Sequence, residues 1–88
     1  MNNARRKRIA EAISKLQTLE EELQSVREEI EEIKDEEQEY LDNMPENLQS
    51  SEKYEKAENA ISCLESAIDS IDCFDFDEIT GQLEEAGE

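Results

Sequence analysis

The chain has 88 residues, 35% of them apolar and 40% charged, with 26 Asp and Glu against 9 Lys and Arg and a formal net charge of −17. One small domain fits that length, and a single core of this size is marginal unless its helices are idealised or chains associate. The acidic balance disfavours direct nucleic-acid binding, no apolar run reaches the length of a membrane span or a signal-peptide core, and the lack of any His removes the commonest general base and metal ligand.

The first predicted helix covers residues 3–43. It begins with Arg5-Arg6-Lys7-Arg8, and once these four are set aside only five cations remain against all 26 carboxylates. Basic residues at a helix N-terminus oppose the macrodipole. In a folded-back chain they would lie beside Asp75, Asp77, Glu78, Glu84, Glu85 and Glu88, so internal charge pairing is expected rather than a phosphate-binding arm. From Ile9 onward apolar residues alternate in steps of three and four: Ala12, Leu16, Leu19, Leu23, Val26, Ile30, Ile33, then Tyr40 and Met44. Glu37 alone interrupts them. Five heptads with two apolar seams describe a coiled-coil-like helix, not a disordered acidic tract.

A turn follows at 44–50. Pro45 has no backbone donor and pushes Met44 out of helical geometry, and Ser50 or Ser51 can cap the next helix. That second helix is predicted over 51–86, through Tyr54, Ala57, Ile61, Leu64, Ile68 and Ile71. The repeat then slips by one residue and continues as Phe76, Ile79, Leu83 and Ala86. The slip predicts an irregularity at 72–77, as a π-bulge, a kink or a short break, and Gly81 is a second weak point.

These elements predict an all-α fold: a single domain, 1–88, built as an antiparallel two-helix coiled-coil hairpin. Folding at the turn sets Tyr40 opposite Tyr54, Ile33 opposite Ile61, Ile30 opposite Leu64, Val26 opposite Ile68 and Leu23 opposite Ile71. Beyond the slip, Leu16 meets Ile79, Ala12 meets Leu83 and Ile9 meets Ala86. Glu37 faces the small Ala57, where a carboxylate can snorkel outward. Ala60, Ala67 and Phe74 form a second seam on helix two, with Ile13 and Leu41 just off the core of helix one. Small residues allow close approach, so a homodimer of hairpins closing a four-helix bundle is expected, with a broad single-hairpin core as the alternative.

The acids are stacked on acids: Glu28, Glu32 and Glu36 follow at i to i+4, as do Glu31, Asp35 and Glu39. Each like pair costs about what an opposite pair would contribute, a few tenths of a kcal/mol. Rows of carboxylates about 6 Å apart resemble phosphate spacing along a nucleic-acid strand. The candidate partner-binding residues are therefore Glu28, Glu32, Asp35, Glu36 and Glu39, joined by Asp69 and Asp72. A solvated face that serves only solubility is the plain alternative. If the apolar seam binds a partner helix instead, Ala60, Ala67 and Phe74 are the candidates.

No catalytic, cofactor or metal residues are predicted. Cys63 and Cys73 are ten residues apart on one predicted helix, roughly 15 Å along its axis, too far for a mutual disulfide. They read as free thiols of a reducing compartment and do not make a zinc site. The acidic stretch 69–78 lacks the ligand order of an EF-hand, and there is no phosphate loop or nucleophile elbow.

The run Glu39-Tyr40-Leu41-Asp42-Asn43-Met44-Pro45-Glu46-Asn47-Leu48-Gln49-Ser50-Ser51-Glu52-Lys53-Tyr54, followed by Ala57, Ala60, Ile61, Leu64, Glu65, Ala67, Ile68 and Ile71, resembles small acidic helical-hairpin proteins of Gram-positive bacteria, their phages and mobile elements. The resemblance implies a hairpin and a cytoplasmic or phage setting. The expected function is a non-catalytic inhibitor whose partner is a basic nucleic-acid-binding protein of defence, restriction or replication. A structural or adaptor module binding a partner helix is the rival.

Overall fold

In the computed structural model, residues 1–48 and 51–88 are described. They form helix α1 (Asn3–Asp42), one 3₁₀ turn (Glu46–Leu48), helix α2 (Glu52–Asp72) and helix α3 (Phe76–Ala86), with no strand among the described residues. Each boundary has a local cause. Asn2 Oδ1 accepts from the Arg5 amide at 2.8 Å, satisfying one orphan donor of α1. At the other end the amides of Asn43 and Met44 reach back to Glu39 and Leu41 at 3.0 and 3.2 Å, and Pro45 stops the ladder. Ser51 then caps α2, its hydroxyl accepting from the Tyr54 amide at 3.3 Å. Ser50, the other candidate cap, lies outside the described residues, as does Gln49.

Where the heptad slips, the backbone leaves the helix. Cys73 closes α2 with its amide on the Asp69 carbonyl at 3.0 Å. Asp75, in extended geometry, starts α3 by accepting from the Glu78 amide at 3.0 Å. Gly81 lies inside α3, which runs on to Ala86 and is capped by Gly87.

Contacts gather the chain into two compact units, one of Val26–Cys73 and one of Met1–Ser25 with Phe74–Glu88. In the first, the C-terminal half of α1 and α2 run antiparallel on either side of the turn. Its buried residues are Met44, Ala57, Ile61 and Ile68, and none among the described residues falls below 2% exposure. The face of α1 turned toward α2 differs from the expected one. Val26, Ile33 and Tyr40 are 46%, 46% and 51% exposed, whereas Arg27, Ile30, Lys34, Glu37 and Leu41 are half-buried. Ile30 and Glu37 keep their expected inward places while Arg27, Lys34 and Leu41 replace Val26, Ile33 and Tyr40, which turns the inward face by about 60°. Two features favour that rotation: Leu41 enters beside Met44, and the aliphatic stems of Arg27 and Lys34 cover apolar surface while their charges reach out.

In the second unit the half-buried residues are Ile9, Ala12, Ile13, Leu16 and Leu23 from α1 and Phe76, Ile79, Thr80 and Leu83 from α3. Ala86, expected opposite Ile9, is exposed, and Gly87 is half-buried in its place. Arg6 Nε donates to the Gly87 carbonyl at 3.0 Å. This is a cation at the C-terminal, partially negative end of α3. Among the described residues no carboxylate pairs with Arg5, Arg6, Lys7 or Arg8, so the expected internal ion pairing reduces to this one contact with a carbonyl.

Candidate functional site

The Val26–Cys73 unit presents three distinct surfaces. Opposite the side that packs on α2, α1 carries Glu28, Glu32, Asp35, Glu36 and Glu39, all exposed. At 3.6 residues per turn they fall within an arc of about 100°. None of the five has a cation within salt-bridge distance among the described residues. From Glu28 to Glu39 the rise is roughly 16 Å, so the row carries about one charge per 4 Å. One strand of duplex DNA carries one per 3.4 Å.

Asp69 and Asp72 do not join this row. They lie on the flank of the hairpin that carries Arg27, Glu31 and Lys34, and all five border one shallow depression. Arg27 grips Asp72 with two bonds, Nε to Oδ1 at 2.6 Å and Nη2 to Oδ2 at 3.0 Å, and holds Glu31 Oε1 through Nη1 at 2.8 Å. The guanidinium bond keeps the Asp72 carboxyl below its ordinary range, against a smaller opposing effect of burial. The Arg27 guanidinium is raised by the same bond. Asp72 is thus engaged inside the fold, and its geometry is that of a staple between α1 and α2.

The third surface is apolar. Val26, Ile33 and Tyr40 recur every seventh residue on the opposite flank of α1. Tyr40 borders a depression shared with Glu37, Ala57, Ala60, Lys53 and Lys56, which places Ala60 on that flank too. Ala67, seven residues on, is half-buried like Ala60. Phe74 leaves the series: it follows the end of α2, is 53% exposed, and sits at 4.7 Å between ring centroids from Phe76 at a 58° tilt.

The heptad pattern does not reveal the exposed apolar stripe of α1, because it places Val26, Ile33 and Tyr40 in the core. The signal available is Leu41 next to Tyr40, an apolar neighbour about 100° round the helix that offers a second inward choice. Tyr54, half-buried, has its hydroxyl pushed above its usual value by burial first, then by Glu58 and Asp42. Cys63 and Cys73 are exposed free thiols. Among the described residues no group of three or more His, Cys, Asp or Glu is placed to hold a metal ion, and no helix is long and apolar enough to cross a membrane. Comparison with protein-family models, with curated proteins and with solved structures finds no match.

Proposed function

We propose that this chain is a non-catalytic interaction protein that lays the carboxylate row of α1 into the basic nucleic-acid groove of a protein partner and so blocks it. The observation that carries the proposal is the row itself: Glu28, Glu32, Asp35, Glu36 and Glu39, exposed, on one arc, without cation partners among the described residues. A Lys/Arg groove shaped for phosphates meets a similar linear charge density there. Asp69 and Asp72 are secondary, since Asp72 already holds Arg27. The setting, a bacterial cytoplasm in which a phage or mobile element supplies an inhibitor, rests on the sequence resemblance alone. The assembly we assign is a homodimer of hairpins closing a four-helix bundle.

The test is capture of the partner from a lysate of the natural host, eluted by salt and by competing DNA. Five carboxylates standing in for five phosphates predict a loss of affinity of roughly 100- to 1,000-fold between 50 and 200 mM salt. Reversing Glu28, Glu32 and Glu36 to Lys is expected to abolish capture with helicity unchanged. Undiminished capture by that variant refutes the proposal. The exposed stripe of Val26, Ile33 and Tyr40 favours a second reading, an adaptor that docks a partner helix. A captured protein that resists both salt and DNA but is lost on Ile33→Glu would establish it.

A further inference from the structure

The geometry points to a second copy of this chain as the cover of the apolar flank, with α1 of one copy lying over α2 of the other. The inference deepens the dimer assigned above and shares only Glu36 with the carboxylate row of the charge-mimic role. Exposed apolar side chains at seven-residue spacing on one helix face have the pattern of a helix–helix seam. Here the stripe is Val26, Ile33 and Tyr40, and the same flank of α2 offers the small Ala60 and Ala67. Large residues on one helix and small ones on the other make a face complementary to itself about a twofold axis parallel to the helices. In that arrangement Ala60 of one copy falls between Tyr40 and Ile33 of the other, and Ala67 falls between Ile33 and Val26.

Charge selects this arrangement over α1 against α1. The α1 edge of the flank carries exposed Glu29 and Glu36, and the α2 edge carries exposed Lys53 and Lys56. Stacking α1 on α1 would set two rows of Glu face to face. Stacking α1 on α2 brings Glu36 of one copy toward Lys53 and Lys56 of the other, twice by symmetry. Lys56 is available for this: its contact with Glu52 is 3.4 Å long and its side chain is 75% exposed. Lys53 and Lys56 are the only cations of α2, and they sit at the level of Tyr40, where the proposed contact needs them.

Sedimentation equilibrium of the full chain across protein concentration tests the interface. A monomer–dimer equilibrium is expected, tightening as salt rises, because each copy carries a net charge of −17. Ile33→Glu is expected to weaken the dimer at least ~30-fold with helicity kept. Lys53→Glu with Lys56→Glu should weaken it about tenfold, and adding Glu36→Lys should recover part of that loss. If Ile33→Glu lowers helicity, the exposed lysine reversal and its rescue decide. A mass of one chain at every concentration and salt, or a dimer indifferent to both sets of changes, overturns the inference. Ile33→Glu spares the five carboxylates, so partner capture by that variant separates failure of this interface from failure of the mimic role.

Discussion

Removing the same atoms from two isoleucines of the Val26–Cys73 unit distinguishes the observed packing from the one that hydropathy alone favours. Ile68 is 6% exposed and Ile33 is 46% exposed. Substitution by Ala removes three carbons, each contributing about 0.8 kcal/mol when fully buried. Scaled by burial, Ile68→Ala costs about 2.3 kcal/mol and Ile33→Ala about 1.3 kcal/mol. A residual cavity adds to the cost at Ile68, whereas solvent fills the space left at Ile33. For a domain of this size the corresponding drops in Tm are roughly 9–18 °C and 5–10 °C. The assay is thermal unfolding followed by far-UV circular dichroism at low micromolar protein, where self-association contributes least. Equal losses at the two positions would refute the face assignment and return Ile33 to the α1–α2 seam. Repeating the scan at high protein concentration adds a second expectation: the cost of Ile33→Ala grows as the dimer covers it, and the cost of Ile68→Ala does not.

Two further changes probe single interactions. Asp72 titrates below its ordinary value of 3.8 because Arg27 bonds its charged form, so its stabilising effect is complete above that value and fades as pH falls through the lower, folded-state value. The Tm gap between wild type and Asp72→Asn should therefore hold from neutral pH to about pH 5 and shrink below about pH 4, and a gap that widens in acid would contradict the staple. Gly81 is exposed within α3, and a Cβ there meets nothing within 4 Å. Gly81→Ala should stabilise by about 0.8–1 kcal/mol through helix propensity, measured as slower amide exchange in α3. No gain would mean that the residue is not held in a helix in solution.

Much of the hairpin could be read from residues with strong local chemistry. Pro45 cannot continue the ladder of α1, Ser51 begins the next helix, and the one-residue slip before Phe76 has to be absorbed somewhere between Ile71 and Phe76. The carboxylate row was legible for the same reason, since five acids on one arc of a helix have nowhere to go but water. The inward face of α1 was not legible. At 26–27, 33–34 and 40–41 the chain offers two neighbours about 100° apart, and hydropathy prefers Val26 and Ile33 to Arg27 and Lys34. What decides is invisible to a hydropathy scale: the aliphatic stem of Arg27 packs while its guanidinium reaches Asp72, 45 residues away. The seam of Ala60 and Ala67 does not extend to Phe74, although the seven-residue count continues, because a break ends the helix first.

The acidic row works against the helix that displays it. Glu28, Glu32 and Glu36, with Glu31, Asp35 and Glu39, make four like-charge pairs at i to i+4, worth about 1–2 kcal/mol of destabilisation in all at low salt. Among the described residues, only Glu31 of these six has a cation, through Arg27 at 2.8 Å. Salt screens this repulsion and the repulsion between copies alike, so it should raise helix stability and tighten the dimer together. It should weaken capture by a basic groove. A partner that neutralises the row removes the same repulsion and binds only the folded helix, so the thermal stability of the chain should rise with partner concentration. That rise should be largest at low salt, where the unrelieved repulsion is greatest. A coat that serves solubility alone would show the salt-dependent stabilisation with no partner-dependent one.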